Sequence, residues 1–545
     1  MVDKPSLCMI TQCPSLSPIQ VNFMACQLFA LAAAFWFRLY LSPRHASPLF
    51  RHAVATLLGT AFLIFCFGWY SMHILTVVFA SYVIIIKADI NNVHRYCMVM
   101  AMGYLTVCQV NRVIVFNYGI LSTDFSGPLM IITQKITTLA FQLHDGKAEE
   151  RIYAKKQHRP SLIEYLSYNL NFLSILVGPC SNYTDYIDFI EGRHISRRLR
   201  HHSGTCNGQN GYDMTPEPSP LNAVCRKLLI CCGCMLFFLI VTRSLPIIYN
   251  VDPHFVANAP FLTRLTYAFF SIQAARPKFY FAWTLADAVN NAAGYGFLGM
   301  DENGKPSWDL ICNLNILGIE TATSFKTFID NWNIQTGIWL KTVCYDRAPR
   351  HRLPLTFVLS ALWHGVYPGY YFTFLTAIPI TMAARAMRKS IRHFFLGSRG
   401  VKLGYDIITW AATQLAICYT VMPFLLLAVE PTLVYYRYVI PTLTSAFLSE
   451  IHERYMYNCF SGPFLISDLS VSVFFISKNC YSLHIYTFYL FFCYEKFDHT
   501  VLRKSLRPPF FFFFFCRVEI HKTFISHSFF FRYKKYMYSL KIHTN

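Results

Sequence analysis

Apolar residues in this chain run in long blocks, not in the short alternations of a soluble domain. The blocks fall near residues 24–40, 53–70, 71–86, 97–118, 128–142, 228–242, 261–275, 279–298, 355–384 and 404–428. A helical membrane crossing takes about 20 apolar residues. The pattern therefore predicts an all-α, polytopic transmembrane helical bundle of about nine to eleven helices. The first twenty residues are largely polar, with Pro5, Pro14 and Pro18 and no basic stretch ahead of an apolar core. No cleavable signal peptide is expected, and the first membrane helix would direct insertion. The chain divides on this reading into a polar segment 1–20, a membrane domain 21–437 and a tail 438–545.

One block carries a single ionisable side chain. From Leu353 to Ala384 the sequence LPLTFVLSALWHGVYPGYYFTFLTAIPITMAA has no Asp, Glu, Lys or Arg, and His364 is its only group that titrates near neutrality. As one helix it would be about 48 Å long, too long for a hydrocarbon core of about 30 Å. Gly365, Pro368 and Gly369 are the natural places for a bend or break. His364 would lie roughly 18 Å along the helix from Arg352, at a depth where an ionisable residue is a functional candidate. A hydrogen-bonded packing histidine is the competing reading. Imidazole favours the functional one, because it exchanges protons near neutral pH where a carboxylate is harder to bury.

Three further segments break the simple pattern. LIEYLSYNLNFLSILVGPC, carrying Glu164, Asn169 and Asn171, lies between a basic loop (Lys147, Arg151, Lys155, Lys156, Arg159) and a second one (Arg193, Arg197, Arg198, Arg200). With both loops on the same side, this segment does not cross, and a re-entrant or interfacial helix buried in protein is expected. Ser324 to Arg347, SFKTFIDNWNIQTGIWLKTVCYDR, reads as an amphipathic helix, with Ile329, Trp332, Thr336, Trp339 and Val343 at three- and four-residue spacing. Asn333 sits within that stripe, and Lys341 and Arg347 close it where basic groups suit both the helix dipole and phosphates. Alone, the same pattern fits an interfacial helix with aromatic anchors. In KFYFAWTLADAVNNAAGYGF, Asp287, Asn290 and Asn291 share a helical face at i, i+3 and i+4. They serve either a substrate or the locking of neighbouring helices. Residues 203–222 read as an exposed loop.

Composition adds to this picture without changing it. The chain is 54% hydrophobic and only 14% charged over 545 residues, which excludes an ordinary soluble protein. Its net charge of +20 is dispersed through loops, which suits anionic headgroups better than nucleic acid. The nineteen cysteines lie mostly inside apolar blocks as small hydrophobes. Cys231 and Cys234 have CxxC spacing but no second pair, so no metal site is expected. After about Arg437 the periodic pattern dissolves and ends in PPFFFFFFC, from Pro508 to Cys516. Six consecutive phenylalanines have no structural use and are an aggregation hazard, so 438–545 reads as an alternative or mispredicted end.

Chemistry narrows next. There is no G-x-S-x-G elbow, P-loop or H-E-x-x-H. Direct transfer to an acceptor hydroxyl, with one base in a dry cavity, is then simpler than a covalent acyl-enzyme.

WHGVYPGYYFTFLT and DNWNIQTGIWLK together resemble the membrane-bound O-acyltransferase (MBOAT) family, in its lysophospholipid acyltransferase branch. QVNFMACQLFALAAAFWFR, YGILSTDFSGPLMIITQKITTLAFQLHDG, PSLIEYLSYNLNFLSILVGPC and YYFTFLTAIPITMAARAMR extend the resemblance over roughly residues 20 to 436. It is nearest to the members that take lysophosphatidylethanolamine and lysophosphatidylserine. The resemblance implies a helical bundle in the endoplasmic-reticulum membrane with a central substrate tunnel, acyl-CoA entering from the cytosol and the lysophospholipid from the bilayer. It implies acyl-CoA as co-substrate with no cofactor, and His364 and Asn333 as the catalytic pair. His364 would deprotonate the glycerol hydroxyl, and Asn333 would hold the acyl carbonyl or orient the reacting groups. Trp332 and Trp363 are expected to wall the tunnel, and Lys341 and Arg347 to meet CoA phosphates. The tail departs from the family pattern, whose members usually continue with another apolar segment. Two rival readings remain at this level: a transporter with His364 as proton relay, and a sibling enzyme that acylates a sterol or protein. Oligomeric state is not legible.

Overall fold

The structure is a computed structural model describing residues 18–115, 124–153, 159–203, 218–242 and 244–437. The expected tail 438–545, nearly all of the polar segment 1–20 and most of the loop 203–222 lie outside the described residues.

Helices dominate. In chain order they are α1 (Pro18–Tyr40), α2 (Pro48–Phe67), α3 (Ser71–Lys87), α4 (Val93–Val115), α5 (Ser126–Tyr153), α6 (Leu162–Leu170), α7 (Tyr183–Ile190), α8 (His194–Ser203) and α9 (Leu221–Val241). After these come α10 (Pro253–Asn258), α11 (Phe261–Ala275), α12 (Pro277–Ala292), α13 (Ile316–Glu320), α14 (Phe325–Asn331), α15 (Ile334–Leu340), α16 (Arg352–His364), α17 (Pro368–Ile391) and α18 (Arg399–Leu426). The only sheet among the described residues is a two-residue hairpin, Gly299–Met300 against Pro306–Ser307. Helix starts follow local chemistry. Ser47 with Pro48 opens α2, Ser161 and Glu164 form a reciprocal capping box on α6, and Ser324 and Ser398 cap α14 and α18.

Among the described residues, five stretches are long and apolar enough to cross a bilayer: Val21–Tyr40, Pro48–Lys87, Val93–Ile114, Leu221–Val241 and Arg399–Leu426. The second, 40 residues long, folds as two helices, α2 and α3. Their outer faces are strongly apolar, with Leu57, Phe65, Leu229, Leu236, Ile240, Ile407 and Ile408 all exposed. Such a surface belongs in lipid, where helices satisfy their own backbone. The architecture is that of a polytopic helical membrane protein. The remaining expected blocks take other forms. Residues 261–275 and 279–298 give α11 and α12, of 15 and 16 residues. Block 128–142 becomes α5, in which residues 132–140 are all buried. Block 355–384 breaks between α16 and α17 around Gly365 and Pro368.

α5 is the central pillar. α4 packs along it, and α3, α6, α7 and α15 also meet it. The segment expected to be re-entrant forms α6, nine residues or about 14 Å long, followed by a turn buried from Phe172 to Leu176. α6 lies so close to α2 that a Cβ on Gly59 would fall 1.7 Å from the Leu170 carbonyl oxygen. Three cations close helix C-termini in this region. Arg51 donates to the Phe189 and Ile190 carbonyls of α7, Arg159 to those of Ile85, Ile86 and Ala88 at the end of α3, and fully buried Lys135 to Tyr168 in α6 and to the Ser174 hydroxyl. Each charge meets the negative end of a helix dipole and satisfies carbonyls that lack an intrahelical partner.

Candidate active site

One face of α5 holds the elements that carry the two candidate catalytic residues. Trp363 Nε1 donates to the Met130 carbonyl at 3.1 Å, Gln134 Nε2 donates to Thr336 Oγ1 at 2.9 Å, and Trp339 Nε1 donates to Thr137 Oγ1 at 2.9 Å. Met130, Gln134 and Thr137 stand at i, i+4 and i+7, so they share a face over about 10 Å of helix. The Trp339 and Trp363 rings meet at 5.9 Å. The start of α15 and the end of α16 are thereby docked side by side on one support, with Asn333 just before the first and His364 closing the second.

The amphipathic helix expected over 324–347 is corrected. It breaks at Trp332, whose extended backbone bridges to Leu314, and at Asn333, which is left-handed at φ 51° and ψ 53°. α14 and α15 are therefore separate, and Ile329 and Thr336 are not helical neighbours of Asn333 on one continuous stripe. Asparagine tolerates this conformation better than most side chains. The chain is turned by the strand-like segment beside it: Ile334 N–H donates to the Asn313 carbonyl at 2.8 Å and Asn315 N–H to the Asn331 carbonyl at 3.0 Å. Backbone held in such a region is a known companion of functional sites.

His364 closes α16, and Gly365, at φ 140°, turns the chain where an L-side chain would be strained. Nδ1 of His364 lies 2.8 Å from the Ser360 carbonyl oxygen. A carbonyl only accepts, so Nδ1 carries the proton and Nε2 presents its lone pair. Around the half-buried ring stand Trp363 at 4.7 Å, Phe374 at 4.9 Å, Phe424 at 5.2 Å and Tyr370 at 5.9 Å between centroids. Gln109 of α4 steadies this turn, its Nε2 donating to the Trp363 carbonyl at 3.1 Å, and its buried Oε1 has no protein partner. The result is an imidazole set in an aromatic wall, whose Nε2 is the basic nitrogen when the ring is neutral.

The other expected residues divide. Trp332 sits in an aromatic box of Phe279, Tyr280, Trp283 and Phe328. Trp363 is buried and tied to α5. Lys341 is exposed in a π turn over Lys341–Tyr345. Arg347 is engaged with Asp145, stacks over Phe141 at 4.5 Å and donates to the Thr342 carbonyl. Burial pushes the Asp145 carboxyl up, but Arg347 and His144 outweigh it and hold it below its ordinary value. Two of the polar trio on α12 contact other segments. Asp287 pairs with Lys227 of α9 at 2.7 Å, Asn290 Nδ2 donates to the Leu173 and Ala286 carbonyls, and the Asn291 amide fills the space that a Cβ on Gly296 would need. Asp287 and Asn290 are thereby tied to neighbouring segments, and Asp287 also lies by Cys312, next to the Asn313 that bonds Asn333.

Sequence reasoning missed Lys227, Gln109, Gln134 and Asn313. Gln109 and Gln134 sit among other polar residues of their blocks (Asn111 and Arg112; Thr133 and Lys135), so the sequence did not single them out, and nothing in it paired Lys227 with Asp287.

Comparison with known proteins supplies the remaining constraint. A family model described as MBOAT, membrane-bound O-acyltransferase family, matches residues 113–426. The chain is 58% identical over 429 residues to the membrane-bound glycerophospholipid O-acyltransferase 1 of Mus musculus, covering 77% of this chain and 86% of that protein. It is 55% identical over 424 residues to the membrane-bound glycerophospholipid O-acyltransferase 2 of Gallus gallus, covering 76% and 81%. A lysophospholipid acyltransferase 6 of Drosophila melanogaster is 39% identical over 421 residues, covering 76% and 58%.

Proposed function

The chain belongs to the membrane-bound O-acyltransferase family, and on that premise we propose that it transfers a fatty acyl group from acyl-CoA to the free glycerol hydroxyl of a lysophospholipid. The observation that carries the reading is His364: Nδ1 is fixed on Ser360, Nε2 is available, and aromatic rings surround the imidazole. Nε2 takes the proton from the acceptor hydroxyl as its oxygen attacks the thioester carbonyl. The tetrahedral intermediate collapses, the carbon–sulfur bond breaks, and the imidazolium returns the proton to the departing CoA thiolate. No oxidant, metal or covalent enzyme intermediate is needed. Asn333 steadies the acyl oxygen as charge develops on it. A positioned histidine base supplies about 10²- to 10⁴-fold, and holding both substrates in line lowers the barrier by about 7–11 kcal/mol more.

The finer reading is that lysophosphatidylethanolamine and lysophosphatidylserine are the acceptors, in the endoplasmic-reticulum membrane, for phospholipid remodelling. It rests on the motif resemblance and on relatives named as glycerophospholipid and lysophospholipid acyltransferases. The test is microsomes expressing the chain, given oleoyl-CoA and a panel of lysolipids with sterol and peptide acceptors. Acylation of the ethanolamine and serine lysolipids, lost in His364→Ala, is the expected result. A well-folded protein inactive on every lysolipid would overturn it.

A further inference from the structure

We propose that Asn313 is a positioning residue that decides which end of the Asn333 amide faces the acyl donor. This inference rests on the acyl-transfer reading above. An asparagine side chain has nearly the same shape with its oxygen and nitrogen exchanged, so something must fix its polarity. Here a backbone amide does so. Gln335 N–H is unambiguously a donor, and it points to Asn313 Oδ1 at 3.0 Å. That assigns the other end of the Asn313 side chain as NH₂, and Nδ2 donates to Asn333 Oδ1 at 3.1 Å. With its oxygen engaged, Asn333 keeps its own NH₂ for a ligand. The backbone of Asn313 is fixed as well, because its carbonyl accepts from Ile334 N–H at 2.8 Å. Asn313 is 4% exposed, so water does not compete for these bonds.

The polarity matters chemically. A thioester carbonyl offers only an acceptor, and its oxygen gains negative charge on attack. An NH₂ stabilises that charge, and an amide oxygen repels it. Asn313 therefore acts through Asn333: it touches no reacting atom, yet sets the sign of the group that does. The left-handed turn at Asn333 belongs to the same device, since it brings residues 333 to 335 back against residue 313.

The test compares Asn313→Asp with Asn313→Ala in microsomes alongside the wild type. At about pH 8 the carboxylate introduced by Asn313→Asp is ionised and cannot donate. It still accepts from Gln335 N–H and draws the Asn333 NH₂ toward itself, turning the wrong end to the substrate. The expected loss in kcat is about 10²- to 10³-fold, with KM for acyl-CoA changed less than threefold. Asn313→Ala leaves the Asn333 amide free to adopt either orientation and should lose less. A packing role predicts the reverse order, because an aspartate side chain fills the site and an alanine does not. The Asn313→Asp variant should also recover on acidification, since a protonated carboxyl donates through its hydroxyl while its carbonyl accepts. Its activity relative to wild type is expected to rise at least tenfold from about pH 8 to about pH 5.5. The charged groups acting on the adjoining Cys312, namely Asp287, Lys227 and Asp309, are present in both proteins. Their titration, like that of His364, therefore enters both sides of the ratio.

Should Asn313→Asp fail to fold, Asn333→Asp gives a second reading in which Asn313 is intact. That variant should be inactive near neutrality and regain activity with acid, as its protonated carboxyl again offers a donor. Three results would overturn the inference: Asn313→Asp milder than Asn313→Ala, a flat pH ratio, or an Asn333→Asp enzyme fully active at neutral pH. A wild type inactive on every lysolipid would instead remove the reading beneath it.

Discussion

At the scale of single residues, His364 acts through one nitrogen because the helix has taken the other. Ser360 lies one turn earlier, and its carbonyl holds Nδ1, so a side chain that only imitates imidazole shape loses the base. His364→Gln is expected to lower kcat by at least about 10²-fold with unchanged yield and detergent elution. Equal loss of folded protein would return the residue to packing. The Lys227–Asp287 pair makes the opposite prediction. It is buried, with side chains 13% and 4% exposed. Removing Asp287 leaves Lys227 only the exposed Asp309 carboxylate and the Trp308 carbonyl, at a cost below the about 3–5 kcal/mol of a fully unpaired buried charge. Asp287→Ala should lower the thermal midpoint of the solubilised protein, and Lys227→Met with Asp287→Leu should recover most of it. Neither variant should shift KM for acyl-CoA or lysolipid where activity survives. A KM change without a stability change would restore Asp287 to the substrate.

At the scale of elements, close approaches decide more than apolar patterns do. α2 and α6 touch at Gly59, where a methyl group would overlap the Leu170 carbonyl. Gly59→Ala must push the helices apart, with an expected loss of about 1–3 kcal/mol, read as a lower midpoint of thermal aggregation. An unchanged midpoint would mean that the contact is loose. The join between α5 and the α15–α16 turn is different, because it carries a charge pair. Asp145 is held below its ordinary value by Arg347 and His144 against the push of burial. A lowered carboxyl contributes stability that is complete above its unfolded value near pH 4, about 3.9 for Asp, and is lost as pH falls through the lower folded value. The stability difference between wild type and Arg347→Gln should hold steady from neutrality down to about pH 4. Below that it should close, as followed by acid unfolding monitored with tryptophan fluorescence.

At the scale of the whole molecule, the apolar exterior of α9 and the polar-studded interior of α5 reverse the layout of a soluble protein. The α9 span is strongly apolar yet only 11% buried, so lipid is its solvent. Leu236→Arg there should impair membrane integration by about 2.5–3.5 kcal/mol, measured with a glycosylation reporter. Integration equal to wild type would place that face against protein. The interior can hold Lys135 and Arg51 because helix C-terminal carbonyls meet their charge.

Much of this was legible in the chain. The long apolar blocks and the solitary His364 before Gly365 are local facts, written in residue type and spacing. So was the non-crossing character of LIEYLSYNLNFLSILVGPC, expected from the basic loops on either side of it. The stripe over 324–347 misled, because spacing records which residues would align if a helix continued, and only the pairing of 313–315 with 331–334 stops it. The polar trio of α12 was visible, but its partners on α9 and beyond Leu173 were not. Periodicity and burial preference act within one segment and so survive in the sequence. The polarity of the Asn333 amide, the docking of Trp363 on Met130 and the pairing of Lys227 with Asp287 join residues twenty to more than two hundred positions apart, and only the packed tertiary structure sets which of them meet.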